Sequence, residues 1–334
     1  MKDRHINKKI NYSFQLLRLI LSVWVVIHHY YQYSYLYRKG LFPVPTFMIM
    51  SFFFYYNILI KKDIIKIKQR FQRILIPYII WPIILWIVNN TLLELFEFSI
   101  YDKKIYLNDF IYQLIFGYHY HSIFYYQFNL IFLTILFTII SFLFNKSFIW
   151  ISQILLIVAY IFQYSNLNFY IFVDYTNIVK FSLGHISEIL PFVVMGVILR
   201  HLDIITKLKN YKRLTIIYSG IIFYLILKFD ILAETKGFFY PGVIYNVGGN
   251  CIFIVFSLFS IQNKKLISLL KVITKFTGGI YYLHMTCYDL LQHKILFIKN
   301  NTLHGSIALY IISYIFCYIG NKLTCNTKYK FLFN

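Results

Sequence analysis

Charged residues are scarce in this chain. They make up 13% of its 334 residues, and only 12 are acidic against 33 Lys and Arg. A soluble domain of this length does not carry so little charge together with long apolar runs and a 59% hydrophobic share. A soluble globular class is therefore excluded, and an all-α polytopic membrane bundle is expected. Cysteine is also sparse. Cys251, Cys287, Cys317 and Cys325 fall in or beside late apolar runs without metal-type pairing, which argues against a zinc or disulfide framework. No P-loop, GxGxxG, HExxH or GxSxG occurs, so soluble nucleotide or hydrolase chemistry has no foothold. Linkers and low-complexity tracts are missing too, which leaves a single membrane domain over 1–334.

What is abundant is aromatic and basic. Aromatics reach 21%, suited to wide interfacial belts. The formal charge of +21 points at first sight to nucleic acid, but the positive residues cluster between apolar runs. About ten spans are predicted, roughly 13–33, 42–60, 74–96, 125–144, 147–164, 178–199, 214–232, 243–261, 276–296 and 303–321. A short amphipathic piece at 107–118 reads as interfacial or re-entrant. With the N-terminus inside, 24 of the 33 Lys and Arg fall on inner segments and 9 outside, which favours ten spans with both termini cytoplasmic. The N-terminal MKDRHINKK and its apolar run lack a small-residue cleavage site, so the first run reads as an uncleaved helix.

That first run, RLILSVWVVIHH, carries Arg18, His28 and His29. Ionisable groups inside a span are costly and default to a functional reading. Eleven residues of helix turn through roughly 1100°, about 20° from whole turns, so Arg18 and His29 share one face about 16 Å apart along the axis. His28 points about 100° away. The plainer alternative is a first helix packed through its polar groups, with Arg18 snorkelling to the interface.

Four further constellations stand out. Arg70 and Arg73 precede the third span three residues apart, a spacing that suits phosphates gripped bidentately or ordinary anchoring to anionic lipid. His185 and Glu188 share a face of the sixth span, as a proton relay, a sugar-binding pair or an interhelical clamp. His284 lies within the ninth span, where a single His is commonly a packing residue. His119 and His121, in GYHYHSIF, sit at the outer interface, able to meet a sugar or simply to belong to the aromatic belt.

Together these segments resemble the acyltransferase 3 family of integral membrane enzymes that O-acylate surface polysaccharides and glycolipids. The resemblance rests on Arg18 and His29 with ten residues between them, and on the Phe-rich VPTFMIMSFFFYY with Ser51. It rests also on Arg70 and Arg73 before Pro77 and Tyr78, LPFVVMG from Leu190 to Gly196, and GIYYLH from Gly279 to His284. It runs from about residue 12 to 322. No glycine follows Ser51, and the first-span flank SFQLLRLI is degenerate, which places the chain among divergent, stand-alone members. The branch that modifies capsule or exopolysaccharide, including proteins once read as exporters, is similar too.

The resemblance implies acyl transfer, with acetyl the expected group, from cytoplasmic acyl-CoA as co-substrate to a hydroxyl of a surface polysaccharide or lipid-linked glycan. His29 and Arg18 would be catalytic, Arg70 and Arg73 would bind the donor, and Glu188, His185, His284 and His121 would be acceptor or second-rank candidates. No bound cofactor, metal or nucleic acid is implied, and a bacterial cytoplasmic membrane is the expected location. A transporter of polysaccharide or lipid-linked sugar would use the same buried charges as a path, and a glycan polymerase would need large outer loops.

Overall fold

The structure, a computed structural model, describes residues 11–30, 42–96, 104–117, 124–164, 178–229, 242–291, 303–324 and 332. Among them there is no strand. The helices are α1 (Ser13–Tyr30), α2 (Pro43–Ile60), α3 (Ile64–Phe96), α4 (Leu107–Phe116), α5 (Phe124–Leu143), α6 (Phe148–Tyr164) and α7 (Ile178–His201). There follow α8 (Ile204–Leu208), α9 (Lys212–Phe229), α10 (Gly242–Leu258), α11 (Lys264–Ile273), α12 (Thr277–Leu291) and α13 (Leu303–Thr324).

A helix occupies each of the ten apolar stretches, because hydrocarbon leaves a backbone no hydrogen-bond partner but itself. By length and composition, five of the described helical runs are fit to cross a membrane: α2, α3, α5, the run Lys264–Tyr288 and α13. The pair His185–His201 and Ile204–Lys228, bent by 65°, raises this to six. The protein is thus a multi-pass helical membrane protein.

Helix ends follow local chemistry. Asn11 accepts from the Ser13 backbone N–H at 3.1 Å at the start of α1. Pro43 opens α2, where its missing N–H would have had no intrahelical partner. Asp63 caps α3 by accepting from the Lys66 side chain and from its backbone N–H, contacts that hold this exposed carboxyl below its ordinary range. The third helix therefore begins at Ile64, ten residues before the predicted span, and Arg70 and Arg73 lie within it rather than ahead of it. Asn263 caps α11, a short amphipathic helix unforeseen in the sequence, by accepting from Lys265 N at 2.9 Å and Leu266 N at 3.1 Å.

The piece predicted at 107–118 is α4, ten residues and too short to span. It hangs on α3: Tyr78 donates its hydroxyl to the Leu114 carbonyl at 2.6 Å, and Trp86 donates to the Ile105 carbonyl at 2.9 Å. It stops at Gly117, whose φ of 71° is left-handed, and a Cβ there would meet the Phe128 ring at 2.3 Å.

The centre of the bundle is α2 lying on α7. Gly196 of α7 allows this contact, because a Cβ would stand 2.4 Å from the Ile49 carbonyl oxygen. Leu17, Leu21 and Val25 of α1 join Met48, Phe52, Ile189, Val193 and Phe253 in one buried cluster. A second, built from Tyr30, Tyr78, Trp81, Tyr282 and Leu309, ties α1 and α3 to α12 and α13.

Candidate active site

Between these two clusters lies a cavity of about 250 Å³. Helix α1 contributes Arg18, Ser22 and Val25, residues spaced by four and three along one face. Four residues past Val25 on that stripe is His29. Its ring centroid lies 5.5 Å from that of His284, which does line the cavity. The expected face is therefore the one turned towards the cavity, and His29 stands at its far end. The ring of His28 packs edge-on against His29 at 5.5 Å.

Arg18 is held in place. Its Nη2 donates to Thr277 Oγ1 at 3.0 Å, and Nη1 reaches Gln15 Oε1 at 3.5 Å. Next to it Ser22 donates to the Leu19 carbonyl and lies 3.1 Å from the Tyr310 hydroxyl. Arg73 enters the cavity from α3, beside Ile74 and Pro77.

Arg70 does not line it. Its Nη2 donates to Ser51 Oγ at 2.7 Å, its Nε reaches Thr134 Oγ1 at 3.4 Å, and its guanidinium lies 4.2 Å from the Tyr55 ring centroid. Tyr126, also on the wall, is within electrostatic reach of both Arg18 and Arg70. Among the described residues none of Arg18, Arg70 and Arg73 has a carboxylate within ion-pair distance. Two guanidinium groups facing one cavity, with no carboxylate paired to them among the described residues, make it an anion-attracting site.

His284 is fully buried. Its Nδ1 lies 3.1 Å from the Ile280 carbonyl oxygen, which can only accept, so Nδ1 carries the proton of a neutral ring and Nε2 is then its lone-pair acceptor. Nε2 has no hydrogen-bond partner among the described residues. An imidazole that exposes a bare acceptor beside a second imidazole can accept and pass on a proton.

A family model described as an acyltransferase domain, acyltransferase 3, matches residues 11–322. The chain belongs to this family. It is a membrane acyltransferase, a transferase of groups other than aminoacyl groups. Neither a curated protein nor a solved structure gives a match.

The acyltransferase holds its remaining candidates apart from the cavity wall. His185 and Glu188 are buried on α7 with Nδ1 and Oε2 at 3.3 Å, and the His185 ring lies 4.7 Å from that of Tyr125. Tyr125 precedes two wall residues, so this pair is a neighbour of the cavity and not part of its lining. His119 and His121 lie outside the described residues. Sequence reasoning missed Thr277, Tyr126 and Gln127. The last two stand in YYQFN, where a glutamine and an asparagine interrupt an apolar span, and that interruption was the available signal.

Proposed function

We propose that this acyltransferase moves an acyl group, most simply acetyl, from cytoplasmic acyl-CoA to a hydroxyl of a surface polysaccharide or lipid-linked glycan. The observation that carries the reading is one cavity with Arg18 and Arg73, neither paired with a carboxylate among the described residues, at one end and His284, beside His29, at the other. Donor phosphates bind at Arg73. Arg70, one turn behind, adds charge and fixes the helix, and Arg18 lies deeper along the path.

The acceptor hydroxyl donates to the imidazole of His29, which takes its proton, with the His284 ring beside it. Its oxygen attacks the thioester carbonyl, the C–S bond breaks, and the proton passes from the imidazole to the CoA thiolate. Proton transfer of this kind contributes typically ~10²–10⁴-fold. His185 and Glu188, neighbours of the cavity, are acceptor-side candidates, and His121 is one from the sequence alone. The protein needs no bound cofactor or metal for these steps, since acyl-CoA arrives as co-substrate.

The proposal includes ten spans with both termini cytoplasmic, in a bacterial cytoplasmic membrane. It is supported by a helix in each apolar stretch and by 24 of 33 positive residues on inner segments. Membranes containing the protein, given acetyl-CoA labelled in the acetyl group, should pass label to glycan as a base-labile ester. Absence of transfer from membranes in which the protein is present and folded overturns the reading.

A further inference from the structure

Gln127 is a cavity-wall residue to which the acyl-transfer scheme gives no task. It is 3% exposed, it lines the cavity, and its amide oxygen has no hydrogen-bond partner among the described residues. A buried acceptor left in this way forfeits its hydration with nothing in return, unless a ligand brings the missing donor.

Its height in the cavity follows from cross-helix contacts. Arg70 bonds Thr134, and the Tyr78 and Phe128 rings lie 6.5 Å apart, so α3 and α5 run antiparallel. Gln127 therefore stands level with Pro77 and Tyr78, one helical turn past Arg73. On the other wall the Tyr126 and Tyr281 rings are 5.3 Å apart, and His284 is three residues further along α12. The order along the cavity is Arg73, then Gln127, then His284.

Between a site for phosphates and a site for the reacting carbonyl, the donor can offer only its connecting arm. Beside the Tyr126 and Tyr281 rings, the wall here is Val25, Ile74, Pro77 and Leu130, which suits methylene segments. We infer that Gln127 Oε1 accepts the amide N–H of a pantetheine-type arm, and so makes Gln127 a specificity residue for the acyl donor. The inference rests on the acyl-CoA reading above.

The test is a kinetic cycle on membrane-embedded full-length protein. Gln127→Leu keeps the volume and removes the acceptor, and two acetyl-CoA analogues each replace one arm amide N–H by CH₂. Gln127→Leu should raise KM for acetyl-CoA about three- to tenfold, with kcat and the acceptor KM little changed. One analogue should show the same loss on the unaltered protein and no further loss on Gln127→Leu.

Unchanged KM for acetyl-CoA in Gln127→Leu overturns the assignment and leaves the acyl-CoA reading standing. A rise in the acceptor KM instead moves Gln127 to the acceptor and also overturns it. No transfer from acetyl-CoA by the unaltered protein overturns both. If Gln127→Leu does not accumulate, the analogues alone decide, since equal KM for both analogues and acetyl-CoA removes the proposed bond.

Discussion

His29 and His284, near opposite ends of the chain, place their rings 5.5 Å apart at the end of a cavity that begins at Arg18. If this pair handles the hydroxyl proton, His29→Ala should lower kcat by ~10²–10⁴-fold while the protein still inserts. His28→Ala, which alters a ring packed behind His29, should be milder. His284→Ala combined with His29→Ala should cost little more than the worse single change, since the two act as a unit. The reverse ranking, with His28→Ala inactive and His29→Ala active, refutes the shared-face argument. The measurement is acyl transfer normalised to membrane-inserted protein.

Arg73 and Arg70 should respond differently to the same conservative change. Arg73→Lys keeps the charge but loses the planar fork, and KM for acyl-CoA should rise roughly ten- to hundredfold through loss of a charge-assisted contact. Arg70 spends its fork on Ser51 and Thr134 and its face on Tyr55. Arg70→Lys should therefore appear mainly as a lower melting temperature in detergent, with a smaller effect on KM. Equal acyl-CoA titrations for Arg73→Lys and the unaltered protein would reduce Arg73 to a topological anchor.

A reporter fused after Asn334 should read as cytoplasmic. An external reading means an odd number of crossings, and α4 would then be the first element to reassess.

Thr277→Val removes the hydroxyl that receives Arg18. The guanidinium would lose one of its two described partners, and kcat/KM should fall about three- to thirtyfold with expression unchanged. Thr277→Ser should restore most of the loss. Wild-type kinetics for Thr277→Val would show that Arg18 needs no positioning from α12.

The bundle was largely legible because membrane insertion writes itself locally: each apolar run must satisfy its own backbone, so each becomes a helix. The first turns of α3 were not legible, since KIKQR carries the charge of a loop and becomes helical only through its Asp63 cap and the packing of Ile67. The face shared by Arg18 and His29 could be read from helical periodicity alone. Which helices face it could not. Thr277, Tyr126 and Gln127 acquire meaning from tertiary neighbours, as does the separation of Arg70 from Arg73, which sequence spacing had treated as one grip. The approach of His284 to His29 was open to inference only as two histidines in two spans.

Gly196 touches no charge, yet the anchorage of Arg70 depends on it. Its bare backbone lets α7 rest against the Ile49 carbonyl, and Ser51, two residues on, holds the Arg70 guanidinium. Any side chain at 196 would act as a shim between the two helices, and its thickness would be passed on to a hydroxyl 2.7 Å from its cation. The alignment of that arginine is thus set, at a distance, by atoms that the sequence withholds.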